Sequence, residues 1–255
     1  MLITPLLLIA LAATVSPPVT IQDASQTPKG WVAIDQPNTD TGWRCANYSR
    51  QEWAVAGDLQ HGIQVTPHKQ TQQITLELTD GTLVGTNHGE FGGAIQWIGR
   101  NSPSQVIAPS AHPVAMTTRG SDVFVATGLA HMTLNTGNII KLHHTKDGSW
   151  QTSKVMDLGE APNAGVRIDD NTWVLLTTNG VTKIDLAKLT KEQIYRNSNW
   201  WKLYGNSIQQ LGNSWIIGAR RAVIRLTPNS NSYAEKWLVP DTCRNLSGPS
   251  CDCKE

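Results

Sequence analysis

Four consecutive runs decide the fold: Ser207-Ile-Gln-Gln-Leu211, Asn213-Ser-Trp-Ile-Ile-Gly218, Ala222-Val-Ile-Arg-Leu226 and Tyr233-Ala-Glu-Lys-Trp-Leu-Val239. Each is short and rich in β-branched or aromatic residues, and turn-forming residues punctuate the connections, so each reads as a strand. Connections this short predict one antiparallel sheet with strands A, B, C and D in chain order.

Working outward from that sheet, its B and C strands recur along the chain. Glu52-Trp-Ala-Val-Ala-Gly57 is followed by Gly62-Ile-Gln-Val65, and Gly81-Thr-Leu-Val-Gly-Thr86 by Gly93-Ala-Ile-Gln-Trp-Ile98. Asp122-Val-Phe-Val-Ala-Thr127 precedes Asn138-Ile-Ile-Lys-Leu142, and Asn171-Thr-Trp-Val-Leu-Leu-Thr177 precedes Gly180-Val-Thr-Lys-Ile184. With Leu83, Phe124, Trp173 and Trp215 equivalent, the intervals are 41, 49 and 42 residues, while the Val55 copy lies closer to its successor. Four strands can be laid over 164–203, 113–157 and 74–108. Few stretches keep a helical period, and Leu186 to Tyr195, between C and D, is the best candidate for a helical turn.

A repeat of this length resembles a β-propeller, an all-β fold of four-stranded antiparallel blades set radially around a channel. Five copies imply five blades, with a sixth, built from Trp31-Val-Ala-Ile34 and C-terminal strands, as the alternative. The aromatic or aliphatic, Val, Gly or Thr pattern is most similar to the propeller repeats of exported bacterial sensor proteins. The chain has neither the WD dipeptide nor the repeated Asp-box of sialidase-type propellers.

Composition narrows the partners. Lys and Arg number 21 against 20 Asp and Glu, a net charge of +1 with the two signs interleaved, so nothing marks a nucleic-acid binder. The run Leu6 to Ala13, followed by small residues up to Pro17 and Pro18, has the form of an export signal and is too short to span a bilayer. The resulting division is a signal peptide over 1–16, a flexible segment over 17–30, the propeller over 31–242 and a Cys-containing tail over 243–255. The expected product is a periplasmic or secreted monomer, free of the membrane once the leader is removed.

An even number of cysteines in an exported chain favours disulfides. Cys251 and Cys253 are too close for an unstrained mutual bridge. The expected pairing therefore joins one of them to Cys45 and the other to Cys243, latching the ends of a ring that must close. A zinc site is a poor match to this spacing.

In an A-B-C-D sheet, B–C turns and D-to-A connections share one end. That end is expected to gather Asp58, His61, Asn87, His88, Glu90, His131, Arg220 and Arg221 as binding residues, with His112, Glu160, Asn163 and Asn206 from the D-to-A connections. The loop Gly85-Thr-Asn-His-Gly-Glu-Phe-Gly-Gly93 is the most distinctive. A three-histidine metal site from His61, His88 and His131 is conceivable but not favoured, and no metal or cofactor is expected. His143 and His144 fall on the opposite face. Trp200 and Trp201, read as strand neighbours, point to opposite sides, so one is expected to meet solvent, a groove or a partner.

The favoured function is non-catalytic binding of a protein or glycan on this face, as in a periplasmic inhibitor or immunity protein. The alternative is a glycan hydrolase or lyase, because five-bladed propellers resembling this outline host glycosidases. That chemistry needs two carboxyl groups about 5 to 10 Å apart. Glu90 is the weak catalytic candidate, with Asp58 or Glu160 as its partner; no nucleophile elbow, phosphate loop or metalloprotease motif occurs.

Overall fold

The computed structural model describes residues 18–58, 60–101, 103–145 and 147–244. The expected signal peptide, Cys251 and Cys253 lie outside the described residues. The chain is an all-β propeller of five antiparallel sheets.

The N-terminal strands are β1 (Val19–Ile21) and β2 (Trp31–Ile34), followed by helix α1 (Asp40–Tyr48). Blade I holds β3 (Trp53–Asp58) and β4 (Gly62–Pro67), with β1 outside them. Blade II is β5 (Gln73–Leu78), β6 (Gly81–Asn87), β7 (Gly93–Gly99) and β8 (Gln105–Pro109). Blade III is β9 (Pro113–Arg119), β10 (Asp122–His131), β11 (Leu134–His144) and β12 (Trp150–Asp157). Blade IV is β13 (Pro162–Arg167), β14 (Thr172–Thr177), β15 (Gly180–Asp185) and β16 (Thr190–Arg196). Blade V is β17 (Ser207–Leu211), β18 (Ser214–Gly218), β19 (Val223–Asn229) and β20 (Ser232–Pro240), with β2 as an added outer strand.

Strand alternation builds the seams between blades. In β18, Trp215 and Ile217 pack toward Val174 and Leu176 of blade IV, while Ile216 turns toward Val55 and Ile63 of blade I. In β14, Trp173 and Leu175 instead meet Phe124 and Ala126 of blade III. Val123 and Val125 reach Leu83 and Ile95 of blade II. A strand buried on both faces loses its polar alternation, which explains runs such as Trp173-Val-Leu-Leu176. Among the described residues, no buried apolar cluster joins blades I and II.

The ring is held at the seam of blades I and V by the N-terminal segment. β1 pairs with β4 (Val19 opposite Val65), and β2 pairs with β20 (Val32 opposite Val239). Trp31–Ile34 therefore widens blade V and does not found a sixth blade. Within residues 17–30, Val19–Ile21 forms β1 and Ile21 is fully buried. Gly218 lets the two blades approach: a Cβ there would lie 2.5 Å from the Trp53 carbonyl oxygen. Cys45 and Cys243 are both buried in this region, and neither is a free thiol.

One local expectation fails for an identifiable reason. Leu186 to Tyr195 is a C–D turn leading into β16, because Asp185 Oδ1 accepts the amides of Ala187 and Lys188 (both 2.9 Å) and closes the chain into a tight turn. The helix lies instead at Asp40–Tyr48, where Thr39 Oγ1 accepts the Gly42 amide and Asp40 occupies the first turn.

Candidate functional site

The inner strands β5, β9, β13 and β17 all start at the same end of the ring, and their first residues line a basin of about 1070 Å³ that opens there. Blade I follows the same direction in an unexpected register. Glu52 lines the basin just before β3, the Trp53 amide donates to the Ala219 oxygen (3.0 Å), and His68 lines the basin just after β4. β3 and β4 are thus strands A and B of their blade, and β1 supplies the next strand. The turn from Asp58 to Gly62 is consequently an A–B turn, at the end of the ring away from the basin. This frame shift explains why the Val55 copy lies close to its successor, and it removes Asp58 and His61 from the expected cluster. The three histidines His61, His88 and His131 do not converge.

The blade II loop does stand on the basin rim. Gly89 and Gly92 take positive φ values of 61° and 97°, which favour glycine; Gly89 opens the 3₁₀ turn Gly89–Phe91 and Gly92 closes it. Asn87 lines the basin, accepts the Gly89 amide at 2.9 Å and donates to the Pro113 oxygen at 3.4 Å. His88 Nδ1 lies 3.0 Å from Gln72 Oε1. Glu90 Oε2 lies 2.8 Å from Nε2 of His131, which lines the basin from blade III.

The two arginines part company. Arg220 lines the basin, donates from Nη2 and Nε to Glu52 Oε1 (2.7 and 2.9 Å) and from Nη1 to the Asn47 oxygen (2.7 Å), and stacks 3.9 Å from the Tyr204 ring centre. Arg221, with φ of 73°, is buried beneath the basin wall and donates to the Cys243 oxygen at 3.1 Å. Burial pulls its guanidinium down to about 10. The left-handed backbone at Arg221 turns its side chain away from that of Arg220, so one arginine serves the rim and the other the interior.

Of the D-to-A residues, Asn163 and Asn206 line the basin. Glu160 is buried, where it accepts Thr177 Oγ1 at 2.6 Å and Asn179 Nδ2 at 2.8 Å. The His112 Nδ1 atom is also buried. At the opposite end, His143 Nδ1 is 2.7 Å from Asp122, and His144 stacks on Trp150 with 4.5 Å between ring centres.

The strongest omission is Tyr204, which faces the basin with Trp201. Trp200–Leu203 is a 3₁₀ turn, not a strand. In that geometry residues i and i+3 eclipse, so Trp200 and Leu203 are buried together; Trp201 is exposed, and so is Tyr204, the left-handed cap that follows. The doubled tryptophan signalled an exposed ring, but strand alternation gave no reason to add Tyr204.

No family model matches the chain, and no curated protein sequence matches it. Solved structures with a similar chain path include a candidate phosphatase from Bacteroides thetaiotaomicron, at 9% identity and a TM-score of 0.43 over 81% of this chain and 52% of that one. Another is the extracellular domain of a candidate one-component system from the same bacterium, at 12% identity and a TM-score of 0.39 over 74% of this chain and 28% of that one. Virginiamycin B lyase from Staphylococcus aureus aligns at 13% identity and a TM-score of 0.32, over 80% of this chain and 87% of that one. The chain thus spans about half of the first protein and less of the second. These likenesses carry no argument about ligand or activity.

Proposed function

We propose that the chain is an exported, non-catalytic propeller whose rim basin binds a protein or glycan partner. The observation that carries this reading is the condition of the rim carboxylates. Glu52 is held by Arg220, Glu90 by His131, and Glu160 by Thr177 and Asn179 within the sheet. Only Glu52 of these three lines the basin. A glycosidase site needs two facing carboxyl groups, and this arrangement does not favour one.

The same rim collects exposed apolar and aromatic side chains: Phe91 (86% exposed), Met132 (92% exposed), Leu134, Trp201 and Tyr204. Such clustering on an otherwise polar surface is characteristic of recognition sites. Export is supported by the apolar leader and the even cysteine count; no helix among the described residues is long and apolar enough to cross a membrane.

The test is a pull-down from periplasmic or extracellular extract with the immobilised mature chain. The double variant His88→Ala/Glu90→Ala should lose the captured partner, and His143→Ala/His144→Ala should retain it. Loss with the second variant and retention with the first would overturn the assignment of the face.

A further inference from the structure

We infer that the basin recognises a neutral oligosaccharide, with Trp201 and Tyr204 as a paired stacking platform. The inference rests on the binding reading above and names the ligand class for that site. Trp201 lies in the 3₁₀ turn Trp200–Leu203, Tyr204 caps that turn, and both line the basin. Tyr204 holds a left-handed backbone (φ of 49°), an uncommon conformation for a bulky residue. The conformation is supported from behind by Arg220, whose guanidinium covers one face of the Tyr204 ring.

The same basin also offers amides. Gln70, Gln209 and Asn163 line the basin, and their side chains make no hydrogen bond with protein among the described residues. A side-chain amide presents donors and an acceptor together, which matches vicinal hydroxyls of a pyranose. The C–H face of the same sugar stacks on an aromatic ring. Charge decides the ligand class: apart from histidines, the charged residues lining the basin are Glu52 and Arg220, and these neutralise each other at 2.7 Å. Lys202 Nζ stands 5.5 Å from the Trp201 ring centre and is held by Asn199 Oδ1 at 2.9 Å, so among the described residues lining the basin no Lys or Arg is left without a partner for an acidic sugar or a phosphate. The basin volume lies at the upper end of the roughly 300–1,000 Å³ typical of small-ligand sites.

Of the ten tryptophans only Trp201 is exposed, so binding can be read from its fluorescence. The mature chain is screened on an array of neutral and acidic glycans. It is then titrated with hexasaccharides of β-1,4-linked glucose, β-1,4-linked N-acetylglucosamine and α-1,4-linked glucose, and with hexagalacturonate. At least one neutral series should bind saturably and shift the Trp201 emission, whereas hexagalacturonate should not bind. Trp201→Ala and Tyr204→Ala should each weaken calorimetric binding by about tenfold or more, and Trp201→Phe should restore part of it, the two Trp201 variants keeping the melting temperature of the native chain. Absence of any neutral glycan binding at millimolar concentration would overturn the inference, as would preference for the uronate or full binding by Trp201→Ala. If no glycan binds but a captured protein is lost with His88→Ala/Glu90→Ala, the glycan inference falls and the binding face stands. If neither occurs, both fall.

Discussion

Glu90 Oε2 and His131 Nε2, 41 positions apart in the chain, meet at 2.8 Å where the rim loop of blade II touches the long β10–β11 hairpin of blade III. Both side chains remain substantially exposed, so the contact orients two loops more than it stabilises the ring. Glu90→Ala and His131→Ala should each change unfolding free energy by less than about 1 kcal/mol. Urea denaturation would measure this; a loss several times larger would mean that the pair is structural.

Arg220 should matter more, because it ties the Glu52 carboxylate, the end of α1 and the Tyr204 ring into one unit at the seam of blades I and V. Arg220→Ala should cost about 2 to 3 kcal/mol, the scale of lost charge-assisted bonds with a partner left behind. Arg220→Lys keeps the charge but not the forked geometry or the stacking, so it should recover only part of that loss. Equal stability of the lysine variant and the native chain in urea titrations would contradict this account of the seam.

Ile21 belongs to a strand of three residues, yet its side chain is buried among Trp53, Val55 and Ile63. Ile21→Ala should cost about 2 to 5 kcal/mol, as for other large-to-small core changes. Calorimetry would detect a drop of several degrees. An effect below about 0.5 kcal/mol would show that the N-terminal strand is not part of the cooperative ring.

How much of this was legible in the chain follows from which signals are local. Trp173, Phe124 and Leu83 stand at equivalent points of their blades because each strand carries its own alternation and its own turn residues, and that is enough to count blades. The position of β1 is not a local property. Val19-Thr-Ile21 is too short to announce a strand, and its pairing with Gly62–Pro67 depends on a chain reversal across some forty residues. Without it, Trp53–Asp58 is naturally read as strand B, and Asp58 and His61 are carried to the wrong end. Glu90 and His131 stand at the basin end because both sit on turns whose blades have all four strands. Arg221 failed for a different reason: adjacency to Arg220 says nothing about which of two neighbouring side chains turns inward. Tyr204 carries no such signal: it follows the 3₁₀ turn as a left-handed cap, a conformation that neither strand alternation nor the doubled tryptophan announces.

Several turns are closed by aspartates whose ionised form accepts backbone amides. Asp169 Oδ1 accepts from Asn171 (2.8 Å) and Thr172 (2.7 Å), and these bonds hold its pKa below the ordinary carboxylate value; Asp185 is lowered chiefly by the Lys188 amide. The folded form therefore binds fewer protons than the unfolded chain in acid. The stabilisation is complete above about pH 4 and is lost as pH falls through the lowered folded values. Melting temperature should decline from pH 4 to pH 2, and Asp169→Asn should flatten that decline. A steeper acid dependence in the variant would contradict the sign.

The central claim, that recognition occurs at the basin end of the ring, is tested most directly by photocrosslinking in the producing cells. A benzophenone amino acid is placed at Met132, at the tip of the β10–β11 hairpin, or at Leu189, exposed in the C–D turn of blade IV at the opposite end. The account predicts a discrete covalent adduct from position 132 on illumination and none from position 189. An adduct from 189 with none from 132 would contradict it.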